Sequence, residues 1–241
     1  MNLDNIYIHQ VEAYGLGNFI NLTPTIKLMA DHFDNPIQVY FDIDFIRDCF
    51  IDCEFMDILD EAPDYNPFFT SGLVNFRNNC PDYIHVYREI TKAIPLSGQL
   101  PHTYVDEARE SKVESYNVLF IRGSGREGKM YLDSKMPYDE YYLEHMKGKC
   151  AFTGSENDKE RLGDLFTWHK GDKIGYEMPM HVGDIRKSLA LIREADYVVA
   201  NDSGLAHAAA AMNKRMTILW KNTSLPKNAN PNKNCLYKMC H

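Results

Sequence analysis

Asp202, Ser203 and Gly204 stand between an apolar segment and an alanine-rich run in DYVVANDSGLAHAAAAMNKRMTILW, residues 196–220. The stretch reads as a buried strand, a tight turn, a helix and a second buried strand. Such a turn offers unpaired backbone N–H groups to an anion, with the positive end of a helix dipole behind them. Ser203 is expected to cap the helix, and Gly204 to let a ligand approach the backbone. The N–H of Leu205 is the next donor. His207 falls one turn in, where its ring can reach the turn; the competing reading is a helix histidine packed on the strand. These residue types point to a phosphate-bearing ligand. Asp202 would repel phosphate, so its better role is to accept from hydroxyl groups, unless it is a plain turn residue.

Other residues could join such a site. The loop RGSGREGK (122–129) follows a strand predicted at Asn117–Ile121. Arg122 and Arg126 carry the planar fork that grips phosphate through two hydrogen bonds. The loop is not a Walker A sequence, because Lys129 lacks the upstream glycine spacing and a following Ser or Thr. A solvated loop explains Arg126 and Lys129 equally well. Glu156 comes just after a strand predicted at Cys150–Phe152. Its two oxygens suit a vicinal diol, and a carboxylate favoured by a helix N-terminus is the plainer reading. In the first half, IQVYFDID (37–44) sets Asp42 and Asp44 after an apolar strand. That is the look of a DxD site, in which carboxylates hold Mg²⁺ or Mn²⁺ with a diphosphate. With 34 acidic residues in the chain, such a triplet also arises by chance. None of the six cysteines has the paired CxxC spacing of a zinc site, and ordinary reduced thiols are expected.

The elements that must position these residues alternate. A strand at Asn5–Gln10 leads through the glycine-containing turn GLGN (15–18) into a helix marked by Phe19, Leu22, Ile26, Met29 and Phe33. Pro24 within that stretch suits a first turn or a kink. Ile37–Phe41 is the next strand. After a mixed stretch with a helical segment at Ile84–Ile94 and a linker at Gln99–Ser115, the alternation resumes. Strands are predicted at Asn117–Ile121, Cys150–Phe152, Tyr197–Ala200 and Met216–Trp220. Helices are predicted at Tyr138–Met146, Asn157–Phe166 and Asp184–Glu194, and irregular coil from Lys221 onward. The pattern implies an α/β protein with parallel sheets in two halves, 1–112 and 113–241.

The chain of 241 residues is 44% hydrophobic and 25% charged, ordinary for a soluble globular protein. Its start, MNLDNIYIHQ, lacks the pattern of a secretory signal, and no apolar run nears the ~20 residues of a membrane span. A cytoplasmic protein is the expectation. The formal net charge of −8 weakens any account based on broad attraction to nucleic acid.

Three segments give the chain a family likeness. They are YGLGNFINLTPTIKLM (14–29); KMP (135–137) with Gly154, Ser155 and Glu156 after the next strand; and SLALIREADYVVANDSGLAHAAAAMNKRMTILW (188–220). Together they resemble glycosyltransferase family nine, the family of the bacterial heptosyltransferases, although this chain is short for it. The resemblance implies a GT-B architecture, two Rossmann-like domains facing across a cleft. The second half would hold a nucleotide-diphospho-sugar and the first an acceptor. It also implies inverting transfer with no cofactor and no required metal. Lys135 matches a lysine of the family, and Glu156 the position that holds the nucleotide ribose. One position departs from the pattern: the family carries Gly-Asp in its N-terminal turn, and that Asp is the expected base. Here the residue is Asn18, whose amide cannot accept a proton at neutral pH. Glu12 and His9 are the alternatives nearest in sequence, with Asn18 orienting the acceptor.

The same likeness suggests a glycan or glycolipid acceptor such as lipopolysaccharide core. A short chain rich in Tyr, Asn and Met also suits a bacteriophage enzyme acting on a modified base in DNA. ADP is the donor nucleotide implied by the family, with UDP and GDP open. Two further readings compete: a non-catalytic nucleotide-sugar-binding protein, favoured by Asn18, and a GT-A-type transferase using Asp42 and Asp44.

Overall fold

The computed structural model describes residues 6–11, 15–70, 90–92, 94–96, 101–121, 148–158, 179–220 and 235–239. Glu12, Arg122, Arg126 and Lys135 lie outside them, as do the helix expected at Tyr138–Met146 and most of that at Asn157–Phe166. The chain divides into two compact units between Asp106 and Glu107. Both are α/β, and every strand pairing among the described residues is parallel. No helix among the described residues is long and apolar enough to cross a membrane.

The first unit runs β1 (Tyr7–Gln10), α1 (Leu16–Phe33), β2 (Ile37–Phe41), α2 (Asp44–Arg47), β3 (Met56–Leu59) and β4 (Phe69–Thr70). Its strand order is β3-β2-β1-β4. Ile8, Phe19, Ile20, Leu22, Ile26, Val39 and Phe50 are completely buried. Phe19 meets Phe41 and Phe50 edge-on, with ring centroids 4.9 and 5.1 Å away. These contacts seat α1 on the sheet.

Of the two places expected for Pro24, a first turn or a kink, the first does not hold: it lies inside α1, past the first turn. A proline there has no N–H for the carbonyl four residues back, which is that of Ile20. Thr23 makes up the loss: its hydroxyl donates to the Ile20 oxygen at 2.7 Å. The same oxygen, Thr23 Oγ1, accepts the backbone N–H of Tyr104 at 2.7 Å. The Thr-Pro pair is therefore a local device that keeps a proline-bearing helix hydrogen-bonded and ties it to the chain at Tyr104.

The second unit runs β5 (Val118–Ile121), β6 (Cys150–Gly154), β7 (Met180–Val182), α3 (Ile185–Glu194), β8 (Tyr197–Asn201), α4 (Gly204–Ala211), β9 (Met216–Trp220) and β10 (Cys235–Met239). Its order is β10-β9-β8-β5-β6-β7. In chain sequence this is 3-2-1-4-5-6 read from the β7 edge, the order of a nucleotide-binding Rossmann sheet. β5, β6 and β8 are fully or nearly fully apolar, as strands covered on both faces must be. Asp184 caps α3, accepting the N–H of Lys187 at 3.0 Å. Further along α3, the Arg193 guanidinium donates to the carbonyls of Glu107, Ala108 and Ser111, fixing the entry to this unit. One expectation needs correction. The tail does not stay irregular, because Cys235–Met239 adds a parallel edge strand to β9, with Cys235 opposite Met216.

Candidate active site

The Rossmann order has a consequence for chemistry. The chain adds β6 and β7 on one side of β5, then returns to add β8 on the other. The C-terminal ends of β5 and β8 therefore form the switch point of the sheet, the place where open α/β sheets take ligands. The loop after β8 is Asp202-Ser203, followed at once by α4. The loop after β5 begins at Arg122, outside the described residues.

Ser203 is the N-cap of α4, in an extended conformation, and its Oγ accepts the N–H of Ala206 at 3.3 Å. The N–H groups of Gly204 and Leu205 precede the first intrahelical donor, His207, which bonds the Ser203 carbonyl at 3.2 Å. Among the described residues those two amides have no acceptor. Ser203, Gly204 and Leu205 are all half-buried, so the turn is reachable from solvent. Ala206, Ala208, Ala209 and Ala210 are buried, and their small side chains bring α4 close to the sheet.

Asp202 and His207 meet beside these amides. Asp202 is 5% exposed, and His207 Nε2 lies 3.7 Å from its Oδ1. That separation is too long for a hydrogen bond. His207 Nδ1 is buried and has no hydrogen-bond partner among the described residues.

Glu156 follows β6, two strands from β8 along the same C-terminal edge, on the order of 10 Å away at ordinary strand spacing. Ser155 and Asp158 close a reciprocal cap around it: Asp158 Oδ2 accepts the Ser155 N–H at 2.8 Å and hydroxyl at 2.7 Å. Its own carboxylate projects into solvent beside Gly183, where φ is 80° and a Cβ would come within 3.0 Å of Glu156 Oε1. Gly183 both permits the turn and leaves room for that carboxylate. Nothing in the sequence pattern singled it out.

In the first unit, Asn18 occupies the first turn of α1, its N–H on the Gly15 carbonyl at 3.0 Å and its side chain half-buried. His9 lies near the C-terminal end of β1. Its Nε2 is 2.7 Å from Asp42 Oδ1, just past the end of β2. Asp44 is different: its side chain is 86% exposed at the start of α2, with Arg47 at 3.6 Å. The two acids of the DxD triplet therefore have separate partners, and the partnership of Asp42 with His9 went unread in the sequence.

Comparison with known proteins decides the family. The family model for glycosyltransferase family 9 (heptosyltransferase) matches residues 103–237, more than half of the chain. The chain belongs to that family. This glycosyltransferase matches no curated protein sequence. Solved structures do resemble it. A family 9 glycosyltransferase from Veillonella parvula DSM 2008 aligns with 100% of the chain and 87% of its own, at a TM-score of 0.74 and 10% identity. The ADP-heptose lps heptosyltransferase II of E. coli aligns over 97% of this chain and 90% of its own, at 0.62 and 13% identity. The E. coli heptosyltransferase WaaC with ADP aligns over 98% and 94%, at 0.66 and 11% identity. At such identities the likeness is one of fold, and the fold is the GT-B type of these transferases. The GT-A reading of Asp42 and Asp44 falls with it.

Proposed function

We propose that this family 9 transferase moves a sugar from an ADP-linked nucleotide-diphospho-sugar to an acceptor hydroxyl, with inversion at the anomeric carbon. The observation that carries the reading is the reachable pair of amides, Gly204 and Leu205, at the switch point of the second sheet. A departing diphosphate carries the charge that a helix N-terminus stabilises. Asp202 and His207 would take sugar hydroxyls and phosphate oxygens, and a ligand oxygen would satisfy the orphaned His207 Nδ1. Glu156 would hold the ribose diol. Arg122, Arg126 and Lys135 would supply the remaining positive charge, so the reading calls for no metal and no cofactor. The E. coli structures, one named for ADP-heptose and one bound to ADP, favour adenine over UDP or GDP donors. The second half is then the donor side and the first half the acceptor side. The acceptor we favour is a glycan or glycolipid hydroxyl.

The test is a thermal-shift panel of ADP-, UDP- and GDP-sugars on the whole chain. A ligand at a hundred times its Kd stabilises the fold by about 2.7 kcal/mol, a readily measured shift. An ADP-linked sugar should give the largest shift. Gly204→Val, whose branched side chain blocks approach to the amides, should weaken donor binding at least about tenfold. Unchanged affinity in that variant would move the donor elsewhere. Binding without turnover on any acceptor would make the chain a nucleotide-sugar carrier.

A further inference from the structure

The His9–Asp42 pair has the geometry of a base and its orienting acid. β1 and β2 run parallel, with His9 opposite Tyr40 and Gln10 opposite Phe41. The backbone N–H of Asp42 donates to the Gln10 carbonyl at 3.0 Å, which holds Asp42 at the end of the strand next to His9. β1 lies between β2 and β4, so its C-terminal end is the switch point of the first sheet, the counterpart of the donor edge in the second. His9 and Asp42 side chains are 24% and 30% exposed, open enough to meet a substrate and covered enough to be held in place. Among the described residues the rings facing His9 are phenols: Tyr7 from its own strand at 6.5 Å and Tyr40 from β2 at 5.2 Å between ring centroids.

We propose that His9 is the general base of the transfer and Asp42 its positioning residue, taking the place of the carboxylate that Asn18 lacks. The proposal rests on the transferase function above. A carboxylate accepts hydrogen bonds and cannot donate them, so the neutral ring carries its proton on Nε2, toward Asp42. That leaves the lone pair on Nδ1, which no described residue engages. In the step, the acceptor oxygen bonds to the anomeric carbon. The bond from that carbon to the β-phosphate oxygen breaks, and its electron pair leaves on the nucleoside diphosphate. The acceptor proton passes to His9 Nδ1, and the imidazolium that results is paired with Asp42.

Two measurements test this with ADP-heptose as probe, water serving as acceptor. Long-range ¹H–¹⁵N NMR should find the neutral His9 ring as the Nε2–H tautomer in the wild type, and a mixed population in Asp42→Ala. An Nδ1–H ring in the wild type would overturn the dyad. Release of ADP should fall about a hundredfold or more in His9→Gln and about tenfold or more in Asp42→Asn, with donor Kd unchanged. Added imidazole should restore release in His9→Ala but not in Asp42→Asn. Release within threefold of wild type in His9→Gln overturns the assignment, as does a loss confined to Glu12→Gln. Wild-type protein that binds ADP-heptose but releases no ADP also refutes the base, whereas failure to bind any nucleotide-sugar refutes the transferase reading beneath it.

Discussion

Two histidines of the second unit show how differently one side chain can be used. Among the described residues His207 keeps a buried ring nitrogen without a partner beside the first amides of α4, and a buried polar atom costs stability as long as it stays unpaired. His181, on β7, is satisfied: its Nε2 meets the Tyr116 hydroxyl at 3.2 Å, and that phenol also bonds Glu114 at 3.0 Å. Burial holds the His181 pKa below the usual histidine value, the Lys187 cation adds to this, and Glu114 opposes it. The folded ring therefore resists protonation while the unfolded chain takes up the proton. Its contribution is intact above the usual histidine value of 6.5 and is lost as pH falls through the folded value. The melting temperature should drop as pH is lowered from 6.5, and His181→Gln should flatten that slope. Glu114 does not confuse the window, because hydrogen bonds from Lys149 and Tyr116 and the Lys149 charge lower its pKa from 4.5, so its effect falls at more acid pH. An identical slope in His181→Gln would show that the ring titrates alike in both states.

At the scale of elements, α1 depends on one hydroxyl. Thr23→Ala should leave the Ile20 carbonyl and the Tyr104 N–H without partners, at a cost of about 1–3 kcal/mol. Pro24→Ala restores an N–H for Ile20, so it should stabilise the Thr23→Ala protein more than the wild type, by about 1 kcal/mol in urea denaturation. Equal effects in both backgrounds would mean that the hydroxyl does not stand in for the missing amide. Thr23 and Pro24 lie in the segment 14–29 that carries part of the family likeness, but the reason for the pair is hidden in the sequence, because the partnership closes only once the helix forms. Elsewhere legibility follows the same line. Ile37–Phe41 is readable to the residue because buried Ile37, Val39 and Phe41 alternate with half-buried neighbours, and Met216–Trp220 because it is apolar but for Thr217. The cap at Ser203 was legible because its hydrogen bond spans three residues. Met56–Leu59, interrupted by Asp57, and Cys235–Met239, set among polar residues, owe their strand character to neighbours supplied from elsewhere in the chain. His9 and Asp42 are 33 residues apart, and only the register of β1 on β2 joins them.

Among the described residues both units carry the same strand order, 3-2-1-4, and the second extends it to 3-2-1-4-5-6. The net charge of the whole molecule is −8, and each substrate answers to that charge on a different length scale. At physiological salt the Debye length is about 8 Å, so a diphosphate seated on Gly204 and Leu205 feels the amides and cations beside it and little of the rest. A DNA duplex lies along many such lengths and meets the surface as a whole. Proteins that hold DNA neutralise several phosphates, and their affinity falls steeply and linearly on logarithmic scales as salt rises. If the acceptor is the glycan proposed above, this acidic chain should show neither property. Fluorescence anisotropy with a labelled duplex should therefore detect no complex tighter than about 10⁻⁴ M at physiological salt, the weak limit of ordinary non-specific binders. Micromolar binding that weakens about 10³-fold or more between 50 and 200 mM salt would reveal a basic groove that outweighs the total charge. It would turn the acceptor from a glycan hydroxyl to a base in DNA, with the same donor turn at work behind it.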